Sequence, residues 1–275
     1  MTAAPVPCRR LAGRYALVTG ASRGIGRATA VRFAAEGATV TLNYIGPEPE
    51  AQEALEETRA ASRAGGFAAE GHRIVRADVS DPDAVAAMFA DTLAAFPRLD
   101  ILVNNAGIQS EAPSEAMTLA DYRRVIDVNL TGALLCAQAA IRHFLSRPGG
   151  GIILNCSSVH QIVPKPGFLS YSISKGGMGN LTRTLALEYA DRGIRVNGVG
   201  PGATLTHMNA HWADDPAARR AVEKHIPMGR AATPEEIASV FAFLASDDAA
   251  YVTGQTVYAC GGLTLYGDFQ HNWSS

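Results

Sequence analysis

Short runs of apolar residues alternate with longer stretches of helical composition along most of this chain. The apolar runs have the length of a strand, are rich in Val, Ile and Leu, and end near Gly, Pro, Asn or Asp. They predict β-strands at residues 15–19, 38–44, 73–77, 101–104, 151–156, 194–199 and 255–259. Strands that are apolar on both faces are typical of a parallel sheet covered by helices.

The stretches between these runs carry the composition and end signals of α-helices. They predict helices at residues 24–36, 51–64, from 81 onward, 119–146, 171–190 and 233–245. Residues 46–49 (Gly-Pro-Glu-Pro), in contrast, predict a loop. Because crossovers between parallel strands are right-handed, the alternation predicts an α/β, doubly wound (Rossmann) fold with about seven strands and helices on both faces.

The chain shows no internal repeat and no linker, so residues 14–275 are predicted to form a single domain. Residues 1–13 are rich in Ala and Pro and lack a continuous apolar core, which predicts a flexible N-terminal tail rather than a secretory signal. The longest stretch without a clear element is 203–232. Since loops of that length are often lids, we predict a lid there.

Composition and charge exclude several classes of function. The 275 residues are 47% hydrophobic, which suffices for a well-filled core, and the formal net charge of −2 provides no basic field for nucleic acid or an anionic membrane. No apolar run approaches the ~20 residues that span a bilayer. The cysteines, which have no metal-ligand spacing, are Cys8, Cys136, Cys156 and Cys260. We therefore expect a cytoplasmic protein with no bound metal.

A glycine-rich turn, residues 19–26 (Thr-Gly-Ala-Ser-Arg-Gly-Ile-Gly), connects the first strand to the first helix. Glycine lets the backbone approach a pyrophosphate, and the helix N-terminus offers free N–H groups and a partial positive charge. The spacing is G-x-x-x-G-x-G rather than G-x-G-x-x-G, and alone it also suits a tight turn without a ligand. The candidate coenzyme-binding residues here are Gly20, Ser22, Arg23, Gly24, Ile25 and Gly26.

Further candidates follow other strands, because ligands of open α/β sheets bind beyond the carboxyl ends of the strands. Asp78 and Val79 end the third strand, where the carboxylate could bind an adenine amine or, without a ligand, cap a turn or helix. Asn105, Ala106 and Gly107 follow the fourth strand and are small enough to leave room for a ribose, although such turns are also common without one.

The end of the second strand bears on the choice of coenzyme. Tyr44 stands there, and no acidic residue is present to accept the 2′-hydroxyl of NAD and repel a 2′-phosphate. Arg23 could reach a 2′-phosphate from the glycine turn, or could be a solvated loop residue. These residues favour NADP, or the use of both NADP and NAD.

The chemistry is carried by three residues further along. Tyr171 and Lys175 are four residues apart and hence on one face of a helix. A nearby ammonium lowers the pKa of a phenol from ~10, so Tyr171 could serve as general acid for a ketone or general base for an alcohol. Ser158 follows the fifth strand, and its hydroxyl could hold the substrate oxygen. A Tyr-x-x-x-Lys pair is also common on helix surfaces, but the small neighbours of this pair favour a closely packed helix.

These motifs, in this order, resemble the short-chain dehydrogenase/reductase family from residue 11 to the C-terminus. The resemblance rests on the glycine turn, Asp78, the Asn-Asn-Ala-Gly segment ending at Gly107, Asn129 within Val-Asn-Leu-Thr-Gly, Ser158, Tyr171, Lys175, and Pro201-Gly202 with Thr206. It implies that Ser158 polarises the substrate and that Tyr171 is the acid/base.

The same resemblance implies roles for residues that the pattern alone does not single out. Lys175 would also hold the nicotinamide ribose, and Asn129 would retain a water that links Lys175 to solvent. The implied coenzyme-binding residues include Tyr171, Lys175, Pro201, Gly202, Ala203 and Thr206, with Ala203 and Thr206 at the nicotinamide carboxamide. A homotetramer is implied as well, with the aromatic-rich residues 266–273 at a subunit interface.

Within the family, the chain is similar to the bacterial glucose 1-dehydrogenase group. The similarity lies in residues 157–160, 171–187, 226–229 and 261–266. The chain departs from that group at Ile45, where an arginine is common, at Gln109, where a glutamate is common, and in residues 164–168.

The sequence therefore predicts an NAD(P)-dependent oxidoreductase of a secondary alcohol or ketone, most simply a sugar or polyol. His160 is predicted to bind a polyol hydroxyl beside Ser158 and Tyr171. One alternative is a ketoreductase of a less polar substrate, such as a 3-oxoacyl chain. Another is a non-catalytic dinucleotide-binding regulator, which the fold permits but the presence of Ser158, Tyr171 and Lys175 disfavours.

Overall fold

The computed structural model describes residues 8–265 and shows a parallel sheet of seven strands in the order β3-β2-β1-β4-β5-β6-β7. The strands are β1 (Tyr15–Val18), β2 (Thr39–Tyr44), β3 (Arg73–Arg76), β4 (Ile101–Asn104), β5 (Gly151–Cys156), β6 (Ile194–Pro201) and β7 (Thr256–Ala259). Every predicted strand is present, and each predicted end lies within two residues of the observed one. The predicted doubly wound α/β fold is confirmed.

Helices cover both faces of this sheet. They are α1 (Gly24–Ala35), α2 (Glu48–Ala64), α3 (Pro82–Ala95), α4 (Leu119–Ile126), α5 (Gly132–Leu145), α6 (Leu169–Tyr189), α7 (Ala210–Ala213), α8 (Pro216–Glu223) and α9 (Pro234–Ala245). One face packs against α1, α2 and α9, which contribute Phe33, Leu55 and Phe241 to its core. The other face packs against α3, α5 and α6, which contribute side chains such as Met88 and Leu185.

The strand order reverses at β1, which lies between β2 and β4. In open α/β sheets, this reversal opens a crevice beyond the carboxyl ends of the two central strands. The glycine turn follows β1, and the Asn-Asn-Ala-Gly segment begins at the last residue of β4. Both segments therefore lie at the crevice, which is where the sequence predicts the coenzyme.

The packed structure begins earlier than predicted. Leu11 is fully buried, and its backbone N–H donates to the carbonyl of Glu36 at 3.1 Å. The guanidinium of Arg10 donates to the buried carboxylate of Glu36 at 2.6 and 2.8 Å. The predicted tail of residues 1–13 is therefore too long at its C-terminal end. Residues 1–7, like residues 266–273, lie outside the described part of the chain.

Two helices begin earlier than their sequence signals indicated. The loop predicted at 46–49 ends sooner, because α2 starts at Glu48 with Pro47 as its N-cap residue and Pro49 in its first turn. Proline is tolerated there because the first N–H groups of a helix have no intrahelical acceptor. Similarly, α6 starts at Leu169, which places Tyr171 in its first turn.

The long helix predicted at 119–146 contains a π-helical turn, Asp127–Thr131, between α4 and α5. By length and composition alone, Leu119–Leu145 could cross a membrane. In the fold, however, α5 lies on the sheet, where Cys136, Ala140 and Phe144 are buried. Its apolar composition is that of a core helix.

Residues 203–232 contain more regular structure than predicted. They include a short 3-10 turn, His207–Asn209, followed by α7 and α8. A parallel bridge between Thr204 and Ala232 joins the two ends of this excursion. The expectation of a stretch without clear elements was therefore wrong, because short helices with weak hydrophobic periodicity give little signal in the sequence.

Candidate active site

The glycine turn is held in shape by side chains from neighbouring strands. Gly20 has φ +62°, and its N–H donates to the side-chain oxygen of Asn43 at 3.2 Å. A Cβ atom at Gly26 would collide with the carbonyl oxygen of Gly20 and with the side-chain amide of Asn105. Only glycine therefore fits at residue 26, where α1 approaches the turn.

Thr19 and Asn105 lock the ends of β1 and β4 together. The Thr19 hydroxyl accepts from the N–H groups of Asn105 and Ala106 at 2.9 and 3.0 Å. The amide nitrogen of Asn105 donates to the carbonyls of Thr19 and Gly20 at 2.9 and 3.0 Å. Both of its side-chain donors are used inside the protein, so Asn105 holds the glycine turn against the end of β4.

The start of α1 is suited to an anion. Its N-cap residue, Arg23, makes no side-chain capping bond, and no acidic residue stands in the first turn. The free N–H groups and the helix dipole therefore favour a phosphate. The Arg23 side chain is exposed. A Cβ on Gly24 would lie 3.6 Å from the methyl group of Thr206, so the segment after β6 lies beside the glycine turn.

The ends of β2 and β3 flank this region. The Tyr44 side chain is buried, whereas the next residue, Ile45, is 57% exposed. One carboxylate oxygen of Asp78 accepts from the N–H and hydroxyl of Ser80 at 2.9 and 2.7 Å, which is the turn role left open by the sequence. Val79 is buried against Gly132.

Ser158, Tyr171 and Lys175 come together beyond the end of β5. Ser158 is buried, and its hydroxyl accepts from the N–H of His160 at 3.1 Å. Lys175, only 4% exposed, donates to the carbonyl oxygen of Cys156 at 2.7 Å. The Lys175 ammonium lies 5.5 Å from the centroid of the Tyr171 ring.

The electrostatics of this group differ from the expectation. Burial raises the pKa of Tyr171 to about 12, and the hydrogen bond with Ser158 only partly opposes that shift. Burial also lowers the pKa of Lys175. The expected lowering of the tyrosine pKa by Lys175 is therefore wrong for the protein without coenzyme. The four-residue spacing shows that Tyr171 and Lys175 are close, but it does not show how strongly burial removes water from each of them.

Asn129 lies in the π-helical turn and is fully buried. Its side-chain oxygen accepts from the N–H of Ile108 at 2.8 Å, and its nitrogen donates to the carbonyl of Ile108 at 2.9 Å and to the hydroxyl of Ser174 at 3.0 Å. The side chain thus braces the loop after β4 against α6, directly beside Lys175.

His160 packs edge-on against Tyr171, with 6.2 Å between ring centroids. Its Nδ1 is 2.9 Å from the carbonyl oxygen of Val163. A carbonyl can only accept, so Nδ1 carries the proton. Burial lowers the pKa of His160, and the charge of Lys165 acts in the same direction. At neutral pH the imidazole is therefore neutral, and Nε2 is a hydrogen-bond acceptor.

Sequence reasoning missed three residues of this site. Thr19 and Asn43 organise the glycine turn, and Lys165 lies on the segment between Ser158 and Tyr171 with its ammonium 3.4 Å from the centroid of the Phe168 ring. For the first two, a signal existed: polar side chains at the ends of apolar strands. The position of Lys165 follows from packing and has no local signal.

A Rossmann-type sheet with a glycine turn and a cluster of Ser158, Tyr171 and Lys175 at the same edge defines a nucleotide-dependent oxidoreductase. Comparison with known proteins makes the class more specific. The family model described as enoyl-(acyl carrier protein) reductase, adh_short_C2, matches residues 20–264. The chain belongs to the short-chain dehydrogenase/reductase family, and it is an NAD(P)-dependent oxidoreductase that acts on CH–OH groups.

Three relatives illustrate the range of substrates. Glucose 1-dehydrogenase of Gluconobacter oxydans (strain 621H) is 50% identical over 272 residues, covering 98% of this chain and 100% of that protein. 3beta-Hydroxysteroid dehydrogenase 1 of Eggerthella lenta is 50% identical over 260 residues, covering 94% and 97%. The structure of a gluconate 5-dehydrogenase from Burkholderia cenocepacia J2315, in complex with NADP and tartrate, has a TM-score of 0.85 and 35% identity, covering 95% and 99%.

Proposed function

We propose that this chain interconverts a secondary alcohol and a ketone, or a related CH–OH and C=O pair, on a sugar or polyol. The observation that carries the proposal is the position of His160, whose ring packs against Tyr171 while its Nδ1 is engaged by Val163, which leaves Nε2 as an acceptor. A polar acceptor next to the reacting group suits a substrate with a second hydroxyl. The likeness to a glucose 1-dehydrogenase and a gluconate 5-dehydrogenase supports the same class.

Each side chain has a role in this reaction. A nicotinamide coenzyme held at this site would supply or accept the hydride. Ser158 holds the substrate oxygen through its hydroxyl, and Tyr171 donates the proton to that oxygen during reduction or removes it during oxidation. Lys175 would hold the nicotinamide ribose, and Asn129 would keep its proposed water link to solvent. With a pKa of about 12, the Tyr171 phenol is a proton donor; oxidation requires a lower pKa, and the Lys175 ammonium is the nearby cation available to lower it.

The coenzyme would lie along the glycine turn, because its uncapped helix start and glycine cradle fit a pyrophosphate. Asp78 and Val79 would face the adenine, and residues 201–203 with Thr206 the nicotinamide. We propose NADP, or both NADP and NAD. The support is the exposed Arg23 and the absence of an acidic residue after Tyr44. Ile45, where an arginine is common in the similar group, has no charge that could bind a 2′-phosphate.

The remaining expectations belong to the same proposal. Residues 203–232 would close over the substrate; in the structure the amide of Gln109 donates to the carbonyl of Met208 at 3.1 Å and so joins this segment to the loop after β4. Slower proteolysis of the segment with coenzyme bound would support a lid. We also propose a cytoplasmic homotetramer, and gel filtration at the mass of one chain, 28.9 kDa, would contradict it.

A second candidate function is the reduction of a less polar ketone. It is favoured by the likeness to a hydroxysteroid dehydrogenase and by two exposed apolar side chains near the site, Ile162 (57%) and Met208 (41%). The same exposed apolar side chains could contact the hydrocarbon part of a 3-oxoacyl chain.

The two candidates are separated by a substrate panel. Sugars, polyols, hydroxysteroids and acyl-chain ketones are supplied with either coenzyme, and turnover is followed by the absorbance of the reduced nicotinamide. We expect hydroxylated substrates to give the highest kcat/KM, and His160→Ala to raise KM for the best of them. A preference for steroids or acyl ketones, or an unchanged KM in His160→Ala, would favour the second candidate.

A further inference from the structure

The segment between the two catalytic hydroxyl groups holds a fixed cation. Residues 162–168 run from the turn after Ser158 to the start of α6, and they contain Lys165, one of only three lysines in the chain. Its ammonium lies 3.4 Å from the centroid of the Phe168 ring, and Phe168 is only 5% exposed. A cation over an aromatic face is attracted by the π electrons, so Lys165 is held against Phe168 at the start of α6.

The cation is close to the chemistry. The charge of Lys165 acts on the His160 ring, which in turn packs against the Tyr171 ring. Phe168 is also the N-cap residue of α6, and the helix start has no side-chain cap. The positive end of the helix therefore adds to the field of the ammonium at the first turn of α6, which contains Tyr171.

The surroundings leave the ammonium available. In the described part of the chain, Glu111 is the acidic residue that acts on Lys165, and it does so through space without forming an ion pair. Glu111 packs near Gly167, on the neighbouring loop after β4. Gln109 on the same loop is neutral, and its amide is engaged with the carbonyl of Met208. A cation that forms no ion pair with this carboxylate favours a ligand that brings a negative charge.

We propose that the substrate carries a carboxylate that binds to Lys165, while its reacting hydroxyl lies at Ser158 and Tyr171. His160, as a neutral acceptor, takes a hydrogen bond from a hydroxyl between these two ends. The class of substrate is therefore a polyhydroxylated acid of the sugar-acid type rather than a neutral sugar. This inference rests on the proposed function and narrows its substrate.

The test measures binding, so that it does not depend on turnover. D-Gluconate and sorbitol share a six-carbon polyol chain and differ in having a carboxylate or a hydroxymethyl group at one end. Each is titrated into the protein with reduced coenzyme bound, and the fluorescence of the coenzyme reports the complex. We expect gluconate to bind at least about 10-fold more tightly than sorbitol, with salt weakening only gluconate, because a charge-assisted bond is involved.

Three variants assign the effect to Lys165. Lys165→Met keeps the length and packing of the side chain but removes the charge, and it is expected to equalise the two affinities. Lys165→Arg keeps the charge and should retain most of the preference. Arg63→Met, which removes an exposed charge near the end of α2, is the matched control and should behave like the parent protein.

The outcomes separate this inference from the proposed function. Equal binding of gluconate and sorbitol by the parent protein, or an unchanged ratio in Lys165→Met, overturns the carboxylate site even if polyols are turned over. Tighter binding of sorbitol 6-phosphate than of gluconate overturns the carboxylate as the anion. A Lys165-dependent preference for gluconate, in a protein that oxidises no sugar or polyol, supports the site and contradicts the proposed function.

Discussion

The ammonium of Lys175 donates a 2.7 Å hydrogen bond to the backbone carbonyl oxygen of Cys156. Cys156 is the last residue of β5, and Lys175 lies one turn beyond Tyr171 in α6, so this bond fixes the helix relative to the strand end that carries Ser158. The side chains of the proposed catalytic group are thus positioned by a contact between a side chain and the backbone of the sheet. The charge of Lys175 is buried, which makes its protonation sensitive to what binds nearby.

Removal of the Tyr171 hydroxyl should abolish most of the chemistry. Because a positioned general acid or base contributes about 10²–10⁴-fold, Tyr171→Phe should lower kcat by at least about 100-fold and leave coenzyme affinity unchanged. Tyr251→Phe, at a fully exposed position, is the matched control. Turnover within a few-fold of the parent protein in Tyr171→Phe would remove the proposed role of the phenol.

The ionisation of Tyr171 can be measured directly. With a pKa of about 12, this tyrosine should show no phenolate between about pH 6 and 10 in the protein without coenzyme. The measurement is an ultraviolet titration of the parent protein minus that of Tyr171→Phe. A tyrosinate signal with a midpoint near neutral pH would show that Lys175 outweighs burial even without coenzyme.

Arg23 should control the use of NADP. If its guanidinium binds the 2′-phosphate, Arg23→Ser should raise KM for NADP about 10-fold and leave KM for NAD nearly unchanged. Arg63→Ser, an exposed arginine near the end of α2, provides the control. Equal effects on both coenzymes would place Arg23 outside the 2′-phosphate site.

Acid should destabilise the protein partly through His72. This residue is buried, accepts from the N–H of Val40 at 3.1 Å and contacts the hydroxyl of Ser62 at 3.0 Å. Burial lowers its pKa from 6.5 to about 4, so the folded state binds its proton less readily than the unfolded state. The contribution is present above pH 6.5 and is lost as pH falls toward 4, by about 3 kcal/mol in the free energy of unfolding.

The loss of stability through His72 is checked by urea unfolding of the parent protein and of His72→Asn between about pH 4 and 6.5. The variant is expected to be less stable at neutral pH but to lose less stability on acidification. Parallel pH dependences would mean that His72 does not drive the acid sensitivity.

Gly26→Ala should damage both stability and coenzyme binding. The added Cβ meets backbone and side-chain atoms that hold the turn, so α1 must shift away from its site. Gly176→Ala, at a helical position with open space around the Cβ, should instead be neutral or stabilising by about 0.5–1 kcal/mol. Thermal unfolding and coenzyme titration of both variants give the comparison, and a coenzyme affinity retained by Gly26→Ala would contradict the cradle.

Much of the fold could be predicted because its signals are local. Apolar runs such as 101–104 mark buried strands, and the order of strands and helices restricts the topology. Leu11 shows the limit: its burial depends on Glu36 and on packing across distant segments, which a Pro- and Ala-rich composition hides. Pro49 shows another limit: a proline that suggests a loop in the sequence is also accepted in the first turn of a helix, where it lies in α2.

The candidate site likewise has features that the sequence reveals and features that depend on the folded structure. The glycine turn and the Tyr171–Lys175 spacing have recognisable patterns, so their residues could be named from the sequence. The raised pKa of Tyr171 depends on how much solvent the folded protein removes, and the position of Lys165 depends on the Phe168 ring beneath it. Neither the pKa of Tyr171 nor the position of Lys165 can be inferred from the spacing of residues in the sequence.

Backbone hydrogen bonds join the two ends of residues 203–232, and this has a consequence for how the substrate selectivity of such enzymes can change. Leu205 donates to the carbonyl of Ala232, and Ala232 donates to the carbonyl of Ala203, each at 2.9 Å. Since the two ends are clamped to each other beside β6, the intervening helices can be lengthened, shortened or exchanged without altering the register of the sheet. If this segment closes over the substrate as proposed, exchange of the helices between Thr206 and Ala231 should change substrate selectivity and leave Ser158, Tyr171 and Lys175 in place.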